Sequence, residues 1–186
     1  MSDAQVRPAV KADATEIARI QRETWRTAYT DLLGEQALKQ LGETDLEATW
    51  AETIEYPETQ VYIAAEGTFT VGFCAAGRAP DAEVANADGT LPDDAATTGL
   101  IASLLVEPRW GRRGHAGRLL ATAAAGLRSD GAARGIAWVV QADHASLGFY
   151  RRAGWHPDGT VRTLDTGDRM VREVRLTGTL DFTLTS

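Results

Sequence analysis

The sequence predicts a mixed α/β (α+β) fold, with one mixed central sheet of about six to seven strands flanked by about four helices. An apolar run at 100–106 leads through a glycine-rich turn into a segment of helical periodicity, and a second apolar run follows at 136–142. Two strands joined in this way lie parallel, with a right-handed crossover between them. Alternating runs around Glu66-Gly67 and around 166–168 predict antiparallel hairpins on either side of this unit.

The N-terminal third is predicted as a strand followed by two helical regions. A short first strand precedes Asp13, which is placed to cap a helix over 14–27. A second helical region ends before Pro57, because proline cannot continue a helix. The first hairpin then follows, with strands at 61–65 and 70–76.

Residues 78–98 are predicted as a long loop, because they carry two prolines, five acidic residues and few residues that could pack. This acidic loop is either a solvated linker or a surface that attracts a basic substrate. The elements after it are predicted in this order: a strand at 100–106, a helix ending near Arg128, a buried strand at 136–142, a helix at 144–153 closed by Gly154, and hairpin strands at 161–164 and 170–176. The tail from Thr177 is either an edge strand or loose.

The composition indicates one domain. A chain of 186 residues is long enough to bury one sizeable core, and we expect that domain to span residues 1–186. Charges interrupt every apolar run well short of the roughly 20 residues of a membrane span, and the N-terminal residues lack the apolar core of a signal peptide. The single cysteine, Cys74, lies in an apolar strand and is expected to be a buried thiol. These observations predict a cytoplasmic protein without membrane insertion.

The charge distribution argues against nucleic acid as the main partner. The net charge is −7 and the isoelectric point is near 5.0. Positive charge is nevertheless concentrated locally, on Arg109, Arg112, Arg113 and Arg118. A small anion bound at one place fits this distribution better than a long polyanion does.

The glycine-rich turn, residues 111–117, is called the cradle below. Gly111, Gly114 and Gly117 are evenly spaced, and glycine allows the backbone to approach a ligand closely. The helix that follows begins with free N–H groups and the positive end of its dipole, which together favour an anion. The cradle has neither the Lys-Ser/Thr pair of a P-loop nor the spacing of a dinucleotide fingerprint. We therefore interpret it as a pyrophosphate site.

The cradle resembles the acyl-CoA loop of the GNAT superfamily of N-acyltransferases, whose pattern is Gln/Arg-x-x-Gly-x-Gly/Ala. The matching residues are Gly111-Arg112-Arg113-Gly114-His115-Ala116, with Gly111 in place of the usual Gln or Arg. A second motif strengthens the resemblance, because Ser146, Tyr150, Gly154 and Trp155 match the segment that follows the fifth strand of GNAT proteins. Asp143 stands there in place of the usual Asn. Both motifs occur in the family's order, and the predicted elements match the GNAT fold from residue 6 to about residue 176.

The resemblance implies a sheet with splayed fourth and fifth strands and acetyl-CoA as the cofactor. The pantetheine arm would pair with the backbone of Leu104, Leu105 and Val106. The implied cradle contacts are Arg112, Arg113, Gly114, His115, Ala116 and Gly117, and Asp143 is a further implied contact. Tyr150 would lie beside the sulfur as general acid, unless it is an ordinary packing tyrosine. The implied reaction is direct attack of a neutral primary amine on the thioester.

The sequence indicates less about the site that binds the acceptor amine. Trp25 and Tyr29 lie where the family binds its amine, although core packing explains them equally well. We assign no general base: Glu107 is expected on the surface, and Glu23, Asp31 or a water chain remain. The histidines are too dispersed for a metal site. The acceptor is a small molecule or a peptide, the family implies a homodimer, and the alternative function is a non-catalytic acyl-CoA sensor or partner subunit.

Overall fold

The computed structural model describes residues 3–182, and its strands form one seven-stranded sheet in the order β1-β2-β3-β4-β5-β7-β6. The strands are β1 (Ala4–Pro8), β2 (Thr59–Glu66), β3 (Phe69–Arg78), β4 (Thr98–Val106), β5 (Arg134–Val140), β6 (His156–Asp165) and β7 (Met170–Gly178). Neighbouring strands are antiparallel except for β4 and β5, which are parallel. The predicted mixed sheet and both hairpins are therefore confirmed.

The α-helices are α1 (Ala14–Thr24), α2 (Thr30–Leu33), α3 (Glu35–Glu43), α4 (Leu46–Glu55), α5 (Asp81–Val84), α6 (His115–Ser129) and α7 (His144–Arg152). The buried hydrophobic residues of α6 and α7 belong to one cluster and those of α1 and α4 to another, and the sheet divides the two. Leu119 and Leu120 of α6 pack with Tyr150 of α7, whereas Ile17 of α1 packs with Trp50 of α4. The fold is thus a sheet between two helical layers. No helix of residues 3–182 is long and apolar enough to cross a membrane.

The N-terminal helical region differs from its prediction at both ends. The carboxylate of Asp13 accepts hydrogen bonds from the Val10 N–H, at 2.7 Å, and from the Arg7 guanidinium, so it holds the preceding turn instead of capping α1. The expected helix over 14–27 changes after Thr24 into a π-helical turn, Trp25–Tyr29. The second helical region is two helices, because the chain extends at Thr44 and restarts at α4.

The acidic loop packs, contrary to the prediction that little in it could do so. Val84 and Ala95 are buried against Ile136 of β5. Two of its acidic residues are ion-paired within the protein: Glu83 with Arg162, at 2.9 Å, and Asp94 with Arg134, at 2.6 Å. The loop is therefore part of the folded domain, and these two carboxylates are already neutralised.

The strand pair β4–β5 is splayed, as predicted. Parallel pairing is restricted to residues 98–100 of β4 and 134–136 of β5. Beyond that point β4 continues along β3 to Val106, while β5 continues along β7 to Val140. A gap consequently opens in the middle of the sheet. Of the tail from Thr177, residues 177 and 178 are the end of β7, and residues 179–182 follow without a further strand. Residues 183–186 lie outside the described range.

Candidate functional site

The gap between β4 and β5 opens into a cavity of about 270 Å³. Five parts of the chain line it: Gln21, Trp25, Tyr29 and Leu33 from the first helical layer; 101–105 from β4; 138–140 from β5; Asp143, Ser146 and Tyr150 around the start of α7; and Leu164 and Glu173 from the last hairpin. Residues from both helical layers meet here because the sheet is open at this place. We call this space the central cavity.

The β4 side of the gap is a strand edge without a neighbour. Past Leu100, the backbone has no hydrogen-bonded partner on the β5 side. Leu104 and Leu105 line the central cavity, and Val106 ends the strand beside the cradle. An exposed strand edge presents N–H and C=O groups that an extended amide-containing ligand can pair with. The backbone predicted to bind a pantetheine arm is thus placed along an open slot.

The cradle follows directly at the end of this edge. Gly114 precedes α6 with φ +80°, a left-handed conformation that glycine adopts without steric cost. Arg112 is also left-handed, with φ +62°. The first N–H groups of α6, at His115, Ala116 and Gly117, have no acceptor within the helix and lie at the positive end of its dipole. The cradle therefore fits a pyrophosphate group.

The side chains of the cradle are tied to the end of β2. Arg113 pairs with Glu66 at 3.0 Å, and its guanidinium lies 4.9 Å from the Trp110 ring centre. His115 is buried, and its Nε2 lies 2.8 Å from the second oxygen of Glu66. Nε2 of His115 is thus engaged by Glu66, and the backbone N–H of His115 lies at the start of α6.

Glu107 is buried rather than exposed, which corrects the sequence prediction. Its side chain is 6% exposed and pairs with Arg109 at 2.7 Å and with Arg19 of α1 at 3.2 Å. Burial is tolerated because both oxygens have cationic partners. Glu107 does not line the central cavity. It anchors α1 to the turn before the cradle.

A polar cluster lies at one end of the central cavity. The carboxylate of Asp143 accepts hydrogen bonds from the Ser146 N–H at 3.1 Å, which caps α7, and from the Ser146 hydroxyl at 2.6 Å. It also accepts a hydrogen bond from the Tyr29 hydroxyl at 3.0 Å. Burial, followed by the charge of Asp143, raises the pKa of Tyr29 to about 12. The structure therefore joins two residues, Tyr29 and Asp143, that were predicted for different ligands.

Tyr150 lines the same cavity from α7. Its ring packs against Phe149 and Trp155, with ring centres 5.2 and 5.4 Å away. Burial, with smaller contributions from Cys74 and Tyr29, raises the pKa of Tyr150 far above its usual value, so the phenol stays protonated at neutral pH. Cys74 is buried in the core as predicted, and burial raises the pKa of its thiol to about 12.

Several cavity residues were missed by the sequence analysis. Glu173 of β7 has a side chain that is 12% exposed and accepts a hydrogen bond from Arg162 at 2.7 Å. Arg162 in turn lies 4.2 Å from the ring centre of Trp138, which lines the cavity from β5. The two residues named as possible bases, Glu23 and Asp31, do not line it. In residues 3–182, no group of His, Cys, Asp and Glu side chains could hold a metal ion.

The fold is similar to those of several solved acetyltransferases. It is similar to PaiA N-acetyltransferase of Thermoplasma acidophilum in complex with coenzyme A, at 14% identity and a TM-score of 0.74, over 95% of this chain and 99% of that one. It is also similar to yncA of Salmonella typhimurium with acetyl-CoA, at 17% identity and a TM-score of 0.70, over 98% and 96%. A third similar structure is the ribosomal-protein-alanine N-acetyltransferase of Brucella melitensis, at 17% identity and a TM-score of 0.72, over 94% and 99%.

The sequence comparison covers the same elements. No curated protein sequence matches the chain. The acetyltransferase (GNAT) family model matches residues 16–155, which include α1, the splayed strands, the cradle and α7. The chain therefore belongs to the GNAT acetyltransferase family.

Proposed function

We propose that the protein is an acetyl-CoA-dependent N-acetyltransferase that acetylates a primary amine of a small-molecule acceptor. The observation that carries this proposal is the continuity of the site. The cradle, the open edge of β4 and the central cavity follow one another at the splayed strands. The fold is also that of proteins solved with coenzyme A and acetyl-CoA. An extended thioester donor and a compact acceptor can meet in such a site.

In this proposal the donor is held mainly by backbone groups. The edge at Leu104, Leu105 and Val106 pairs with the pantetheine amides, and the N–H groups of 112–117 face the pyrophosphate. The arginines of the cradle add positive charge. When bound, the thioester supplies an electrophilic carbonyl carbon attached to a good leaving group. Tyr150 gives its proton to the departing sulfur, because its phenol stays protonated at neutral pH.

The central cavity supports an amine acceptor. Trp25 and Tyr29 provide aromatic walls, and the carboxylate of Asp143, whose side-chain partners are neutral hydroxyls, lies among the lining groups. Aromatic faces and carboxylates attract ammonium groups and repel anions. We therefore expect primary amines without a nearby carboxylate to be better acceptors than α-amino acids. A cavity of about 270 Å³ also accommodates a single side chain, so a peptide amine remains the second acceptor class.

The alternative function is a non-catalytic acyl-CoA sensor or partner subunit. One observation favours it: the cavity-lining residues of β4, 101–105, include Ser103 but no carboxylate that could act as a base. A homodimer is also part of the proposal. The edge strand β6 and its neighbour expose Val161, Leu164 and Met170, and sedimentation of the protein tests this expectation.

Calorimetry and turnover together test the proposal. We expect acetyl-CoA to bind, and we expect thiol release from acetyl-CoA to depend on an added primary amine. The amine panel contains arylalkylamines, diamines, α-amino acids and a lysine peptide. Binding without release on any amine would favour the sensor. Absence of acetyl-CoA binding would leave family membership without this activity.

A further inference from the structure

We propose that Tyr29 and Asp143 form a proton relay that removes the proton of the acceptor nitrogen. This inference rests on the proposed function, and it assigns the general base that the sequence left open. Tyr29 is the group that touches the acceptor, and Asp143 receives the proton through it. The relay uses two residues that are 114 positions apart and come together only in the folded protein.

The geometry of the pair is well suited to proton transfer. The Tyr29 hydroxyl donates to Asp143 Oδ2 at 3.0 Å, and both residues line the central cavity. Ser146 also holds the carboxylate, because its N–H donates to Oδ1 and its hydroxyl donates to Oδ2. Tyr150 lines the same cavity, and the charge of Tyr29 contributes to the raised pKa of Tyr150. The relay therefore shares the cavity with the residue proposed to protonate the leaving sulfur.

The other carboxylates near the site are already engaged elsewhere. Glu173 lines the cavity, but it is neutralised by Arg162. Glu107 is paired with Arg19 and Arg109 and lies outside the cavity. Among the described residues that line the cavity, Asp143 is consequently the carboxylate whose side-chain partners are all neutral hydroxyls.

The lone pair of the neutral amine forms a C–N bond to the acetyl carbonyl carbon, and the nitrogen becomes acidic as it gains positive charge. Its proton passes to Tyr29 Oη while the Tyr29 proton passes to Asp143 Oδ2. The C–S bonding pair leaves with sulfur, which takes the proton of Tyr150. Solvent then returns the Tyr150 proton and removes the proton from Asp143.

The surroundings keep the relay in its working protonation state. The raised pKa of Tyr29, about 12, keeps its hydroxyl protonated and directed at Asp143 at neutral pH. The other titratable groups around the pair are Tyr150 on α7, with Cys74 of β3 beneath it, and the Glu173–Arg162 pair of the last hairpin. His144, the next residue after Asp143, is exposed. The relay uses the carboxylate form of Asp143, which accepts the Tyr29 and Ser146 hydrogen bonds.

Two substitutions test the relay in the full-length protein. Tyr29→Phe removes the hydroxyl and keeps the ring, whereas Asp143→Asn keeps an oxygen that can cap α7 and removes the charge. With the best amine of the panel, we expect each to lower kcat about 100-fold while the acetyl-CoA Kd stays within about threefold. The double variant should be no slower than either single one. Tyr62→Phe, a part-buried phenol bonded to Gln60 outside the cavity, should keep wild-type rates.

The pH profile and a titration without substrates complete the test. The wild-type kcat/KM should show an acid-side ionisation beyond that of the amine, and both variants should lose it. Asp143→Asn should lower the pKa of Tyr29, measured by phenolate absorbance and assigned by difference from Tyr29→Phe. Wild-type turnover that survives in both variants, or a Tyr29 pKa unchanged in Asp143→Asn, would overturn the relay. A wild type inactive on every amine overturns the proposed function, and the relay with it.

Discussion

The cradle and the central cavity recognise ligands in opposite ways. The cradle is one continuous segment whose residues 111–114 are exposed, and its useful groups are backbone N–H donors held by left-handed residues. The cavity is assembled from residues between 21 and 173, and its useful groups are buried and half-buried side chains. A loop that binds through its backbone depends on local conformation and tolerates side-chain changes. An assembled cavity depends on which side chains the whole fold brings together.

This comparison predicts that the largest loss of donor binding comes from a change of backbone conformation. Gly114→Val places a β-branched residue at φ +80°, where its Cβ would also lie 3.4 Å from the Arg118 guanidinium. The cradle must then rearrange, so we expect the acetyl-CoA Kd to rise at least about 100-fold. Isothermal titration calorimetry measures this change.

Gly89→Val is the matched control. Gly89 has nearly the same φ, +84°, and a Cβ there meets nothing within 4 Å. Both variants carry the same kind of backbone strain, but Gly89 lies in the acidic loop, away from the cradle. We expect its acetyl-CoA affinity to equal that of the wild type. Equal losses of acetyl-CoA affinity in both variants would show that backbone strain anywhere in the fold weakens binding. The cradle would then not be the binding site that we propose.

The same contrast explains what the sequence could predict. The cradle and the start of α7 could be predicted because residues close together in the chain create their geometry. These are a glycine at a helix start and a carboxylate three residues before the N–H that it caps. The strands of the sheet could be predicted because alternating apolar and polar residues, and continuous apolar runs, reflect which faces of a strand are buried. The splay of the two strands was predicted from the family resemblance, because nothing in the residues of β4 or β5 indicates where their pairing ends.

The contacts of the central cavity were beyond sequence reasoning. Tyr29 and Asp143 are separated by 114 positions, and no local pattern states that they share a hydrogen bond. The π-helical turn that carries Tyr29 was missed because its residues have ordinary helical periodicity. Glu107 was misplaced for a related reason: a charged residue after a strand is usually exposed, and its partner Arg19 is distant in the chain.

The second prediction concerns Tyr29, whose burial in the central cavity should lower the stability of the folded protein at alkaline pH. The pKa of Tyr29 is about 12 in the folded protein, against 10.0 ordinarily. The protonated Tyr29 hydroxyl thus contributes fully to the free energy of unfolding below pH 10, and this contribution is lost as the pH rises towards 12. Between pH ~9 and ~11.5 the wild type should lose about 2 kcal/mol more unfolding free energy than Tyr29→Phe does.

Urea unfolding at the two pH values measures this difference. Tyr56→Phe is the matched control, because Tyr56 is 54% exposed and lies outside the cavity. It should lose as much stability as the wild type over the same pH interval. If Tyr29→Phe also behaved like the wild type, the phenol would be accessible to solvent and the contrast between cavity and cradle would be weaker than we infer.

The smallest effect is expected from a single cradle side chain. Arg113 has a side chain that is 52% exposed and is already paired with Glu66. Its charge is therefore screened by water and partly neutralised, so Arg113→Gln should weaken acetyl-CoA binding only about fivefold, with a smaller dependence on salt. Arg128→Gln is the control: Arg128 lies at the far end of α6, is 46% exposed and is paired with Asp181. Its affinity should not change. A loss at Arg113 as large as that at Gly114 would mean that side-chain charge, and not the backbone, dominates the cradle.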